Sequence, residues 1–195
     1  MRGALRDNQR KKCYDWENEY FHELDGITDV HPSDFGYEHG KHSFNTNEKA
    51  FKKYRRMKYH PDNGYLTLEE CQKLVDKAWK RWVKHMHRDM WGTAPEPPRV
   101  TDGRGRRGAC AEGARIIKLP LWSRRQHVVL HEVAHAITYL VYWRWHASHG
   151  PEFMWVATDL YAWHFKCSIR EVRKDAREHH LTITNPLKIK KKAHV

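Results

Sequence analysis

A chain of 195 residues and 23.4 kDa is sized for one domain with at most an appendage. Only 39% of residues are apolar, but nine Trp and nine Tyr supply that surface in large pieces, which argues against disorder along most of the length. Lys and Arg number 36 against 24 acidic residues, a formal charge of +12 that favours anionic partners, nucleic acid first, or a plain solvated basic surface. Cys13, Cys71, Cys110 and Cys167 lie far apart. They form no Cys-x-x-Cys pair, which excludes zinc fingers, zinc ribbons and a dense disulfide framework. The N-terminus has no apolar signal-peptide core, and no run approaches the roughly 18 apolar residues of a membrane span. The expectation is a soluble protein of a reducing cytoplasm with no membrane contact.

The first expected element spans 6–25, where Tyr14, Trp16, Tyr20, Phe21 and Leu24 are spaced loosely like one helix face. A polar, Gly- and His-rich stretch from Gly26 to Asn47 reads as loop. Residues 48–59 read as a short basic helix ended by the turn Pro61-Asp62-Asn63-Gly64. Thr67 and Glu70 have the spacing of a capping box, ahead of a helix that carries apolar residues from Leu68 to Met86 and ends near Met90. A Pro-rich connection, Gly92 to Pro98, follows. Val100 and Ala114 to Leu119 read as extended, around the basic turn Arg104–Gly108, and two or three antiparallel strands are expected there. A long helix begins near Arg124 and runs into Trp143-Arg144-Trp145, and Pro151 suits the first turn of the next one. Ser168 with Glu171 predicts a second capping box, and the tail from Lys188 reads as frayed.

The strongest chemical signal is His131-Glu132-Val133-Ala134-His135. Positions four apart share a helix face, so both imidazoles can reach one zinc ion while Glu132 sits where it can activate a water. Sixteen histidines make chance strings easy to find. Here, however, the string lies inside an apolar helix, where two His and a Glu are costly unless they bind something. A second element, His149-Gly150-Pro151-Glu152-Phe153, follows at a distance that lets His149 fold back as a third ligand. Thr138 and Val141 stand where a metzincin needs Gly and His, which excludes that class. Glu152, Glu171, His146 and His164 remain chemically able to be the third ligand; His149 is preferred. Asp159 is a candidate to orient a ligand imidazole, and Tyr161 and His164 are candidates to stabilise an oxyanion.

The C-terminal half resembles the SprT-like zincin metallopeptidases, whose active helix carries this motif and whose third His lies in a His-Gly-x-x-Phe element. More closely, the chain resembles a family of small metallohydrolases of actinobacteria and their phages, which implies the host cytoplasm if it is phage-encoded. That likeness rests on Arg6-Asp7-Asn8-Gln9-Arg10 with Tyr14 and Glu17, on the basic strand segment Arg99 to Gly108, on Ile117-Lys118-Leu119-Pro120, on Val129 to His135, and on His149 to Phe153. It departs from SprT-like proteases that act on DNA-bound proteins in having no Cys-rich ribbon after the catalytic part.

The resulting expectation is an α+β, zincin-like fold with a small antiparallel sheet packed on the active helix. Its parts are an N-terminal helix with a basic, loop-rich region (1–65), a metallohydrolase core (66–182) and a basic tail (183–195). The expected cofactor is one zinc per chain on His131, His135 and His149. Glu132 is the expected base, and a protein or peptide is the expected substrate. The rival reading is a nucleic-acid-binding or adaptor protein that contacts DNA through Arg104, Arg106, Arg107, Lys190, Lys191 and Lys192. A further one is a J-domain-like role toward an Hsp70-type chaperone, from His60-Pro61-Asp62 between two helices.

Overall fold

The computed structural model describes residues 7–21, 23–27, 58–90, 95–106, 108–142 and 147–185. Most of the expected Gly26–Asn47 loop and 48–59 helix lies outside the described residues, as do Arg107, Trp143 to His146 and the tail with Lys190, Lys191 and Lys192. Among the described residues the fold is α+β. Its helices are α1 (Arg10–Phe21), α2 (Leu68–Met90), α3 (Gln126–Tyr142), α4 (Pro151–His164) and α5 (Ile169–Glu178), and its strands are β1 (Arg99–Asp102), β2 (Cys110–Glu112) and β3 (Ile116–Leu119).

Local chemistry sets the helix starts. His60 leads into a 3-10 turn at Pro61–Asn63, closed by Gly64 in a left-handed conformation, so His60-Pro61-Asp62 sits as a turn shortly before α2. At the start of α2 the Thr67 side chain accepts the Glu70 amide at 3.2 Å, and the Glu70 carboxylate accepts the Thr67 amide at 2.8 Å. That exchange satisfies two amides that helix geometry leaves without partners. Behind it Cys71, Leu74, Val75, Ala78, Trp79, Trp82 and Val83 are all buried, as their spacing requires. Pro151 opens α4, where its missing N–H costs nothing. Ser168 holds the N-cap position of α5 but makes no side-chain capping bond, so the box expected with Glu171 does not form. Val172 and Ala176 hold that helix from its buried side instead.

The sheet is mixed rather than wholly antiparallel. β2 pairs antiparallel with β3, from Cys110 opposite Lys118 to Glu112 opposite Ile116. β1 runs parallel to β3, from Arg99 opposite Ile116 to Asp102 opposite Leu119. The hairpin of β2 and β3 places β3 between the other two strands, in the order β1-β3-β2. The hairpin turns at Gly113, whose φ of +59° and 3.1 Å approach of a notional Cβ to the Tyr139 ring both call for glycine. Central β3 buries Ile117 and Leu119, and β2 is left as an edge.

Helix α3 packs on α2, α4 and the sheet, with Val129, Leu130, Val133, Ala134, Ala136 and Ile137 buried. Helix α1 shares this core through Cys13, Trp16 and Phe21. Phe21 lies 4.5 Å from the Tyr161 ring and 5.0 Å from that of Phe165, centroid to centroid, and burying such a side chain is worth about 1.5–3 kcal/mol. Trp16 donates to Asp175 on α5 at 2.7 Å, closing α1 against the C-terminal helix. Among the described residues no helix is long and apolar enough to cross a membrane.

The cysteines provide a check on this packing. Burial pushes the Cys71 thiol up to about 12. Burial, then the charge of Glu17, holds the Cys13 thiol well above its ordinary range. Cys110 and Cys167 are only partly covered, and all four are free thiols. Ellman's reagent is therefore expected to titrate two thiols in the native chain and four after denaturation. Rapid labelling of a third in the native state would contradict the position of α1 or α2.

Candidate metal centre

Four residues apart on α3, His131 and His135 project from one face, and their Nε2 atoms stand 3.0 Å apart. The chain then turns at Ala147–Gly150, with the Gly150 amide donating to the Ala147 carbonyl at 2.9 Å. This turn brings His149, just before α4, back over that face, its Nε2 3.2 Å from that of His131. The three imidazoles form a group able to hold a metal ion. Two nitrogens bound at 2.0–2.1 Å to a tetrahedral ion stand about 3.3 Å apart, so the spacing fits such a cation. Among the described residues this cluster takes His149 as its third member, and none of Glu152, Glu171 or His164.

The rings are held from several sides. Phe153, wholly buried on α4, places its ring 4.9, 4.4 and 5.1 Å from those of His131, His135 and His149. Tyr14 on α1 stacks on His131 at 5.2 Å. Both Glu17 oxygens lie 2.9 Å from His131 Nδ1, and Asp7 Oδ2 lies 2.6 Å from His149 Nδ1. Each carboxylate keeps the proton on Nδ1 and leaves Nε2 with its lone pair, the form in which histidine binds a metal. Glu17 is itself held, accepting from the Tyr161 hydroxyl at 2.6 Å and from Cys13 at 3.2 Å. Gln9 donates to the His149 carbonyl at 3.0 Å.

Electrostatics follow from this packing. Burial opposes the charge on Glu17, but the facing His131 and the bonds from His131 and Tyr161 outweigh it and lower its pKa. Burial likewise opposes protonation of His131, and Glu17 more than offsets it. Burial and then the charge of His131 depress His149. Burial raises Glu132 above the usual carboxylate range, with His131 acting against it and Glu17 adding to it. Glu132 Oε2 is buried and has no hydrogen-bond partner among the described residues.

The centre opens on a cleft of about 320 Å³ between Arg10 and Tyr14 of α1, Cys110 and Ala111 of β2, and Glu132 and His135 of α3. A second lobe of about 340 Å³ shares Arg10, Tyr14, Ala109 and Glu132 with the first and extends to Trp122, His127 and Val128.

The remaining sequence candidates sit as follows. Tyr161 belongs to the support of Glu17 and is wholly buried, so its hydroxyl is not presented to the cleft. Asp159 accepts from Trp82 at 3.1 Å and pairs with Arg81 at 3.4 Å, and so joins α4 to α2 rather than orienting a histidine. His164 pairs with Gln126 at 2.5 Å. Arg104 and Arg106 are exposed, near Asp102 and Glu112 respectively at 3.8 Å. Sequence reasoning assigned no role to Asp7 or Glu17. A carboxylate on the buried face of α1, beside Cys13, Trp16 and Phe21, was the available signal.

Residues 114–173 match the family model described as SprT-like. The matched segment runs from just before β3 into α5. It contains all three histidines and Glu132, while α1 and β2 lie outside it. Neither the curated proteins nor the solved structures yield a match to this chain.

Proposed function

We infer that this protein is a zinc-dependent hydrolase whose substrate is a peptide bond. One observation carries the reading: three buried or half-buried imidazoles converge through Nε2 beside Glu132, whose Oε2 is buried without a partner among the described residues in the same cleft. Neutral imidazole donors in a tetrahedral arrangement suit zinc, and the SprT-like segment supports the same chemistry. When bound, zinc supplies Lewis acidity that brings the pKa of water toward neutrality and polarises a carbonyl. His131, His135 and His149 would hold it, with Glu17 and Asp7 fixing two of the three rings. Glu132 takes the proton of the attacking water at Oε2 and returns it to the leaving nitrogen. Edge strand β2 lies beside the cleft, where an extended peptide can align along it.

Metal content measured by mass spectrometry on wild type and His149→Ala tests the site. One zinc per chain is expected in the wild type. In the variant its affinity should fall by more than the roughly 10–100-fold that loss of an outer partner costs. The zinc-loaded wild type should cleave unstructured peptides and stop on chelation. A well-folded wild type that takes up no added zinc would overturn the reading.

A further inference from the structure

One turn before the metal face, α3 carries another buried histidine that the three-histidine centre does not use. His127 lies four residues before His131 and so shares its side of the helix. Its Nδ1 meets Asp25 Oδ2 at 2.5 Å, and its backbone N–H donates to Asp25 Oδ1 at 3.1 Å. The Asp25 side chain is fully enclosed and also pairs with Arg125 Nε at 3.1 Å. Phe21 stacks on the imidazole, their centroids 6.0 Å apart, and sets its plane. The ring is therefore clamped at one end. At the other, Nε2 has no hydrogen-bond partner among the described residues and is not one of the fully enclosed polar atoms. His127 helps line the second lobe of the cleft, together with His131 and Glu132.

A histidine serving only the core is expected to have both nitrogens satisfied within the protein. An imidazole fixed through Nδ1 by an enclosed carboxylate, with Nε2 presented to a reaction cleft, is instead arranged to meet a substrate. The known candidates for an oxyanion donor do not compete well for this place. Tyr161 gives its hydroxyl to Glu17, and His164 faces Gln126.

We propose that His127, oriented by Asp25, is a catalytic residue that hydrogen-bonds through Nε2–H to the substrate's carbonyl oxygen as negative charge builds on it. The proposal rests on the hydrolase reading above. Unlike His131 and His149, whose Nε2 atoms face one another and keep a lone pair for the metal, His127 would in this role donate from both nitrogens, Nδ1–H to Asp25 and Nε2–H to the oxygen, with the opposed carboxylate balancing the charge on the ring. His127 keeps its proton throughout, so the only proton that moves is the one carried by Glu132.

The experiment compares zinc-loaded wild type with His127→Ala, His127→Phe and Tyr14→Phe. Its readouts are peptide turnover, zinc content, affinity for a small thiol, and affinity for a peptide phosphonate whose tetrahedral anionic group mimics the attacked carbonyl. Removing His127 should leave zinc content and thiol affinity unchanged. It should lower kcat by about 10²–10³-fold with little change in KM, as loss of one oxyanion donor does elsewhere, and weaken phosphonate binding at least tenfold. His127→Phe preserves the ring volume against Phe21 and carries the same expectation if the alanine variant does not fold. Unchanged turnover and phosphonate affinity would overturn the proposal, as would loss of zinc in both His127 variants or an effect confined to Tyr14→Phe. If the wild type cleaves no peptide, the hydrolase reading fails, while the phosphonate comparison still decides the role of His127. A wild type that binds no phosphonate overturns that role as well.

Discussion

Replacing Glu132 by Gln is expected to leave zinc bound and to remove turnover. The two side chains are nearly isosteric, so the helix face and the three imidazoles beside it keep their places. What the amide cannot do is accept a proton. Glu132 Oε2 is buried, has no partner among the described residues, and lies in the cleft beside His135. No neighbouring carboxylate can readily take over. Glu17 is committed to His131, Tyr161 and Cys13, and Asp7 to His149. A positioned acid–base group contributes about 10²–10⁴-fold, and with no substitute at hand the loss should lie toward the upper end, about 10³-fold or more in kcat. Glu132→Asp keeps the chemistry but withdraws the carboxylate by one methylene, and should fall between the two. Zinc by mass spectrometry and kcat on one peptide, measured on the same preparations, check this. A zinc-loaded Glu132→Gln within tenfold of wild type would assign the base elsewhere.

What could be read from sequence divides along a physical line. Helices α2, α3 and α4 were legible because their signals are local: apolar residues at helical spacing, the reciprocal bonds of Thr67 and Glu70, and Pro151 at a first turn. The cluster of His131, His135 and His149 was legible for a similar reason, since helix geometry converts a spacing of four directly into a shared face. Strand direction was not, because strands of three and four residues carry no mark of which neighbour they pair with. Asp159 shows how a correct element can still mislead. Helical periodicity places it on α4, but the indole of Trp82 and the guanidinium of Arg81, both on α2, take it.

The outer supports of the centre were hidden by distance along the chain. Glu17 and His131 are 114 residues apart, Asp7 and His149 are 142 apart, and Asp25 and His127 are 102 apart. Any of the chain's 24 acidic residues could in principle have filled those places. Only the folded arrangement of α1 shows which ones do. Asp7, Tyr14 and Glu17 are also among the residues on which the N-terminal part of the family resemblance rested, and the geometry supplies a reason for that grouping. All three touch a histidine of the centre.

Glu17 is accordingly where a change remote in sequence should cost most. It lies 2% exposed and receives three hydrogen bonds, from His131 Nδ1, the Tyr161 hydroxyl and the Cys13 thiol. Glu17→Ala leaves those donors without their acceptor. Breaking a buried charged pair from one side costs about 3–5 kcal/mol. For a chain of this length that corresponds to a melting temperature lower by roughly 6–20 °C. Zinc affinity should fall as well, by about 10–100-fold, because nothing then holds His131 with its proton on Nδ1. Glu17→Gln separates the two effects. Its carbonyl oxygen can still accept from Tyr161 and Cys13, so much of the stability should survive. Its amide nitrogen, however, then faces His131 Nδ1 and can only donate to it. That bond moves the ring proton to Nε2, the atom directed at His135 and His149, and removes the lone pair that a metal needs. Melting curves of the metal-free proteins and competition titrations with zinc would resolve the pair. The expected pattern is a large loss of both properties in Glu17→Ala, and a loss mainly of zinc affinity in Glu17→Gln. A Glu17→Gln variant that binds zinc like wild type would mean that the tautomer of His131 is set by something other than α1, and the N-terminal helix would then be only part of the core and not of the metal centre.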